Sequence, residues 1–170
     1  MNAGMIRSWA SRAGTAVSNL VIPKERALMS LFWLGLASLL GAAREFVATN
    51  INFQIDFLSN SRERNYAHSV FRDWAQGWDL ADAQRAKWLA AGAFMVSMAV
   101  LTAAMARTRF GDHRYAVPVM VFFAALGACA GICYWANPAL LRPVAIAILH
   151  ALQYPVPVLL VWVLSWVRMR

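Results

Sequence analysis

The side chains best suited to chemistry in an apolar setting surround a proline-containing segment near the C-terminus. His150, Gln153 and Tyr154 stand just before Pro155 and Pro157. Each proline removes a backbone amide and disturbs the hydrogen bond to the carbonyl four residues earlier, so a helix that contains both is expected to bend. Polar side chains beside such carbonyls can form a pocket for a quinone, a lipid or a small solute. A bend that only shapes helix packing is the alternative.

A pair of opposite charges, Arg44 and Glu45, follows an apolar run. In a membrane the two side chains can neutralise each other, or they can extend toward the surface. Counting depth along helices places this pair in the same outer third of the membrane as His150. We therefore predict one set of ligand or pathway residues: Arg44, Glu45, His150, Gln153 and Tyr154.

The same depth count brings four soft or borderline metal ligands to a similar level. Thioether, thiolate and imidazole groups suit Cu(I), whereas Met and Cys are also ordinary apolar filling. We therefore predict no metal site and treat these residues only as metal-ligand candidates. They are Met95, Cys129, Cys133 and His150.

Motifs of known enzyme classes are missing from the sequence. It has no glycine-rich loop ending in Gly-Lys-Ser/Thr, no His-Glu-x-x-His and no Gly-x-Ser-x-Gly. A haem between two membrane helices normally needs two histidines, and only His150 falls in an apolar run. No cofactor is predicted, a bound lipid or quinone stays open, and an enzyme is the less favoured class.

Composition determines which elements must position these residues. The 170-residue chain is 61% hydrophobic and 14% charged, which is typical of an integral membrane protein and not of a water-soluble domain. A helix needs about 20 apolar residues to cross the hydrocarbon core, and only helices satisfy their own backbone in lipid. We predict an all-α single membrane domain, 1–170, with transmembrane helices at 27–48, 88–106, 115–135 and 144–167.

Lysine and arginine are packed into short tails and one short loop on one side of these spans. The positive-inside rule then places both termini in the cytoplasm and residues 49–87 outside it. Asn-x-Ser/Thr acceptor sites are absent, which suits a bacterial inner membrane. The net charge of +8 indicates attraction to anionic lipid, with no nucleic-acid partner.

Two segments outside the spans carry apolar patterns. Residues 1–26 have helical spacing with Trp9 on the apolar side, which predicts a cytoplasmic amphipathic helix, although a flexible basic tail is the alternative. Residues 50–57 alternate as in a strand, but a continuing helix would bury much the same set. Asp79 is placed as the N-cap of the second span.

Four aromatic residues and one valine of the extracytoplasmic segment fall within one arc of a predicted helix. The face that they form is expected to contact the membrane or a partner subunit. These residues, which we call the aromatic loop, are Tyr66, Val70, Phe71, Trp74 and Trp78.

Gly127 and Gly131 form a small-residue pair that favours close helix packing. Contact features therefore outnumber candidate catalytic groups. We predict a non-catalytic accessory or scaffold subunit of a larger membrane complex, whose partners are lipids and other subunits or copies of itself. The alternative is a small homo-oligomeric transporter or channel with a polar path along the kinked fourth helix.

Overall fold

The computed structural model describes residues 24–60, 64–136 and 141–168. Within these ranges the chain is helical almost throughout and has no strand, so the all-α prediction is confirmed. Residues 1–23, and with them Trp9, lie outside the described ranges. A short 3-10 turn, His113–Tyr115, precedes the fourth helix. The helices are α1 (Lys24–Asn60), α2 (Ser69–Trp74), α3 (Leu80–Phe110), α4 (Ala116–Ala136), α5 (Arg142–Gln153) and α6 (Val156–Arg168).

Three helical stretches are long and apolar enough to cross a membrane: α1, α3 and the stretch that contains α4. The pair α5 and α6 passes the same test together, but the two helices are bent by 64° at their junction. The described chain therefore has three possible spans, or four if the bent pair counts as one.

Two helices are much longer than the predicted spans. With 37 residues and a rise of about 1.5 Å per residue, α1 is roughly 55 Å long, against about 30 Å of hydrocarbon. Residues 50–57, whose pattern fitted a strand or a helix, continue α1, because helical spacing buries Asn50, Ile51 and Gln54 on one side. The segment 49–87, which was predicted as a loop, therefore includes the C-terminal end of α1 and the N-terminal end of α3.

The start and end of α3 follow from its capping residues. Asp79 has extended backbone angles, and its carboxylate accepts a hydrogen bond of 2.7 Å from the amide of Asp82, so the predicted N-cap is confirmed. At the other end, Gly111 has a φ of 70°, a left-handed conformation that suits glycine and ends the helix.

The main core lies between α3 and its neighbours α1, α4, α5 and α6. Its main cluster is apolar, and Ala37, Met98, Met105 and Val158 have no exposed surface. Thr102, Arg109 and Ser165 are polar residues that are also buried on α3 and α6. Gly127 of α4 belongs to this packing, because a Cβ at that position would stand 3.1 Å from the sulfur of Met95. Gly131 faces open space instead, so the two glycines do not form one packed stripe within this bundle.

Candidate functional site

The buried Arg44 of α1 is the centre of a polar network. Its Nε donates to Oε1 of Gln153 at 3.0 Å, and its Nη1 donates to Glu45 at 2.9 Å and to the Tyr154 hydroxyl at 3.2 Å. Of the two alternatives for Arg44 and Glu45, the structure has the ion pair. The guanidinium also lies over the Tyr154 ring, 5.0 Å from its centroid. We call these four residues the Arg44 network: Arg44, Glu45, Gln153 and Tyr154.

The Arg44 network joins three parts of the fold. Gln153, only 3% exposed, accepts from Arg44 on α1 and donates through Nε2 to the Ala91 carbonyl on α3 at 3.3 Å. The Tyr154 hydroxyl donates to the Glu45 carboxylate. Because Gln153 ends α5 and Tyr154 follows it, the network ties the junction between α5 and α6 to both long helices.

A glycine allows α1 to approach this junction. A Cβ at Gly41 would stand 3.2 Å from Cδ of Pro155 and 4.0 Å from the Tyr154 ring. Such a distance is tighter than ordinary van der Waals contact, so any larger residue at position 41 would push the two segments apart. Gly41 lies one helical turn before Arg44, which brings the guanidinium within reach of its partners.

The expected bend lies at the prolines. Helix α5 ends at Gln153, where the Tyr154 amide donates to the His150 carbonyl at 3.1 Å, and α6 begins at Val156. His150 differs from Gln153 and Tyr154, because its side chain is exposed. Its ring lies 6.3 Å from that of Tyr154, so it borders the Arg44 network without joining its hydrogen bonds.

A cleft opens beside the network, between α1, α3, α4 and α5, with a volume of about 200 Å³. Of the lining residues, Arg44, His150 and Gln153 were predicted from the sequence as site residues. Lys87, Arg142 and the two aromatic residues beside them were not predicted. Their only sequence signal is position: they flank the ends of the apolar runs, where charged and aromatic residues are common. The polar and aromatic lining residues are Arg44, Asn52, Lys87, Trp88, Tyr134, Arg142, His150 and Gln153.

The metal-ligand candidates do not gather into one cluster, although Cys133 lies beside Cys129. Met95 packs against Gly127, Cys129 is exposed and Cys133 is partly exposed. Within residues 24–60, 64–136 and 141–168, no group of three or more His, Cys, Asp and Glu side chains is arranged to hold a metal ion. Cys129, Cys133 and His150 therefore do not form such a group.

The residues of the aromatic loop do not lie on the single helix face that was predicted from their spacing. Helix α2 covers only residues 69–74, and Gly77, with a φ of 83°, turns the chain before Trp78. Phe71 is buried against Ile51, and Trp78 is partly buried beside it. The prediction of one shared helical face is wrong, because the helix ends before Trp78. Tyr66, Val70 and Trp74 remain exposed.

No family model, curated protein or solved structure matches this chain. Its function therefore has to be inferred from the geometry of the Arg44 network, the cleft and the aromatic loop.

Proposed function

We propose that this chain is a non-catalytic accessory subunit of a larger membrane complex, and that the exposed part of its aromatic loop contacts another membrane subunit. In this proposal the bent pair α5 and α6 is the fourth span. Both termini lie in the cytoplasm of a bacterial inner membrane, and the aromatic loop lies on the opposite side. An excess of Lys and Arg in the short tails and in the short loop before α4 supports this orientation.

The observation that carries the proposal is that the aromatic loop is fixed in place while large apolar side chains on it stay exposed. Trp74 is 63% exposed and Val70 is 68% exposed. The same segment is held to α1, because the His68 amide donates to Asn50 at 2.6 Å and Asn65 donates to Gln54 at 2.6 Å.

A fixed segment loses little conformational freedom when it binds. The surface that its exposed rings bury against a partner therefore contributes to affinity with little loss to ordering. Tryptophan and tyrosine are the residue types that most often dominate such contacts. The exposed Arg72 and Asp73 on α2 supply opposite charges beside these rings. That mixture resembles the polar rim of a protein interface, which favours a protein partner over an anionic lipid surface.

The Arg44 network supports a structural role as well. Its members donate to one another and to the Ala91 carbonyl, and all of these bonds except that between Arg44 and Glu45 link separate helices or the α5–α6 junction. Groups that are engaged in this way hold a fold together. They are not arranged as a nucleophile beside a base, which covalent catalysis needs.

The transporter or channel alternative is favoured by one observation, the 64° break in the fourth apolar segment. Broken helices line the substrate sites of many transporters. Against it, Met98, Met105 and Val158 belong to one buried apolar cluster that α3 and α6 share. The buried Arg109 and Ser165 of these helices bond to each other. Measurable solute flux through a purified homo-oligomer in vesicles would favour this alternative.

The accessory role is tested by Trp74→Ser in the full chain, purified in a gentle detergent with its partners. We expect the recovery of co-purifying subunits to fall at least tenfold, a loss of about 1.4 kcal/mol, since a central exposed tryptophan is a typical contact hot spot. Quantitative mass spectrometry of the purified complex measures this recovery.

Trp166→Ser is the matched control, because Trp166 is a comparably exposed tryptophan on α6, far from the aromatic loop in sequence. A reporter fused after Arg170 should read the same location in both variants, which shows that the spans remain inserted. Unchanged subunit recovery with Trp74→Ser would contradict the accessory role of the loop.

A further inference from the structure

Two of the cations that line the cleft beside the Arg44 network, Lys87 and Arg142, have neutral direct partners. Lys87 Nζ donates to the Asn52 side-chain oxygen at 2.8 Å. Arg142 donates to the Tyr134 hydroxyl and lies over that ring, 4.8 Å from its centroid. Among the described residues no carboxylate forms a salt bridge with either cation.

The remaining lining residues add positive charge and no negative charge. Arg44 is buried, whereas Lys87, Arg142 and His150 are exposed. None of the described lining residues is acidic. Glu45, which pairs with Arg44, offsets one of the three permanent cations. The cleft therefore keeps a net positive charge, and a bound anion would bring opposite charge close to Lys87 and Arg142.

The position of these cations suits the headgroup level of a membrane. Lys87 and Trp88 lie where the second apolar run begins, Tyr134 near the end of the third, and Arg142 just before the fourth. Aromatic and basic side chains at span ends are typical of the interface. On the proposed topology this is the extracytoplasmic side, where the positive-inside rule disfavours Lys and Arg.

The inner wall of the cleft is apolar. Ile51, Phe94, Ile146 and Leu149 line the cleft together with the polar and cationic residues. A volume of about 200 Å³ is smaller than the roughly 300 to 1,000 Å³ of pockets that enclose a drug-sized ligand. The cleft thus has room for a headgroup, while attached chains would lie along the apolar helices outside it.

We propose that this cleft binds the phosphate headgroup of an anionic membrane lipid, held by Lys87 and Arg142 at the rim and by Arg44 at the base. Basic pockets between membrane helices recognise anionic lipid headgroups by the same chemistry. The proposal rests on the cleft and is independent of the aromatic loop, so failure of either leaves the other standing.

The test is native mass spectrometry of the delipidated full chain, titrated with phosphatidylglycerol or with zwitterionic phosphatidylcholine. We expect phosphatidylglycerol to bind more tightly. Lys87→Gln and Arg142→Gln, tested separately, should each weaken that binding about fivefold, the effect of one basic side chain near an anionic headgroup. Lys87→Arg should retain it, because the charge is kept.

Arg85→Gln is the matched control. It removes one positive charge from α3 two residues before Lys87, at an exposed side chain that faces Asp82 at 3.6 Å, and it should leave lipid binding unchanged. An equal effect of Arg85→Gln and Lys87→Gln would overturn the proposal, since it would indicate only nonspecific charge attraction.

Two further arms identify the source of the ligand. If inorganic phosphate binds saturably and its binding depends on Lys87 and Arg142 in the same way, the cleft is still an anion site, and its ligand is a soluble phosphate. Equal affinity for phosphatidylcholine and phosphatidylglycerol would overturn the proposal. Displacement of bound phosphatidylglycerol by a neutral short-chain quinone at equal concentration would also overturn it, in favour of a quinone pocket.

Discussion

Two arginines of this chain are buried to nearly the same extent, but their surroundings differ. Arg44 is 7% exposed and Arg109 is 8% exposed. Arg44 donates to Gln153, Glu45 and Tyr154. Arg109 donates through Nε to the Ser165 hydroxyl at 2.7 Å and lies over the Trp166 ring. Within the described ranges, its Nη2 atom is buried and has no hydrogen-bond partner.

The difference shows that burial alone does not measure what a charged residue contributes. A buried guanidinium stabilises a fold when its donors find acceptors, and it costs stability when one of them is left without a partner. Arg44 links α1 to the α5–α6 junction, and Gln153 carries that link to α3. Arg109 links only α3 to α6, so its removal should disturb the fold much less.

The largest effect is expected for Arg44→Met. The substitution keeps a long apolar side chain but leaves Gln153 and Tyr154 without their charged donor, which should destabilise the fold by about 3 kcal/mol. Unfolding of the purified chain by increasing SDS in mixed micelles measures this loss. Arg85→Met, at an exposed position, should stay within about 0.5 kcal/mol of the wild type. A loss no larger than that of Arg85→Met would contradict the structural role of the network.

A smaller effect is expected for Gly41→Leu, which tests whether the Arg44 network depends on the close approach of α1. Pro155 lies 3.2 Å from where a Cβ would stand, so the larger residue must push the junction away, at a cost of about 2 kcal/mol. Gly35→Leu on the same helix is the control, because nothing lies within 4 Å of its Cβ position. The same SDS titration compares them, and equal stability of the two variants would disprove the packing argument.

The smallest effect is expected for Arg109→Met. Removing the guanidinium takes away the Ser165 bond and the contact with Trp166, but it also removes a buried donor that has no partner. These effects oppose each other, so stability should change by less than about 1 kcal/mol. Ser165 keeps its own bond to the Trp162 carbonyl at 2.6 Å. A loss as large as that for Arg44→Met would remove the contrast between the two arginines.

Several parts of the site could be predicted from the sequence because they depend on local chemistry. Adjacent opposite charges predicted the pair of Arg44 and Glu45, and two prolines predicted the break after Gln153. Depth counting also placed Arg44 and His150 at a similar level. That count works because helical rise is nearly constant, so a residue's distance from the end of a span can be read from its number.

Other features depend on how helices rotate about their axes, which depth does not specify. Gln153 is buried and His150 is exposed, although both were predicted to belong to one set of ligand or pathway residues. The Arg142 contact with Tyr134 requires α4 and α5 to meet at their ends. The extent of α2 was misjudged because the aromatic spacing continues past the turn at Gly77. Periodicity indicates where a helix can form, but it does not show where a turn ends it.

The break between α5 and α6 has an electrostatic consequence. A helix that ends inside the apolar region leaves its last carbonyls unpaired, and its dipole places about half a negative charge at that end. Arg44 donates to the side-chain oxygen of Gln153, the last residue of α5, which brings its positive charge close to the negative end of this helix. The guanidinium thereby does for α5 what a capping cation does at a surface helix. With a neutral residue at position 44, the partial negative charge at the end of α5 would lie in a low dielectric without a cation beside it.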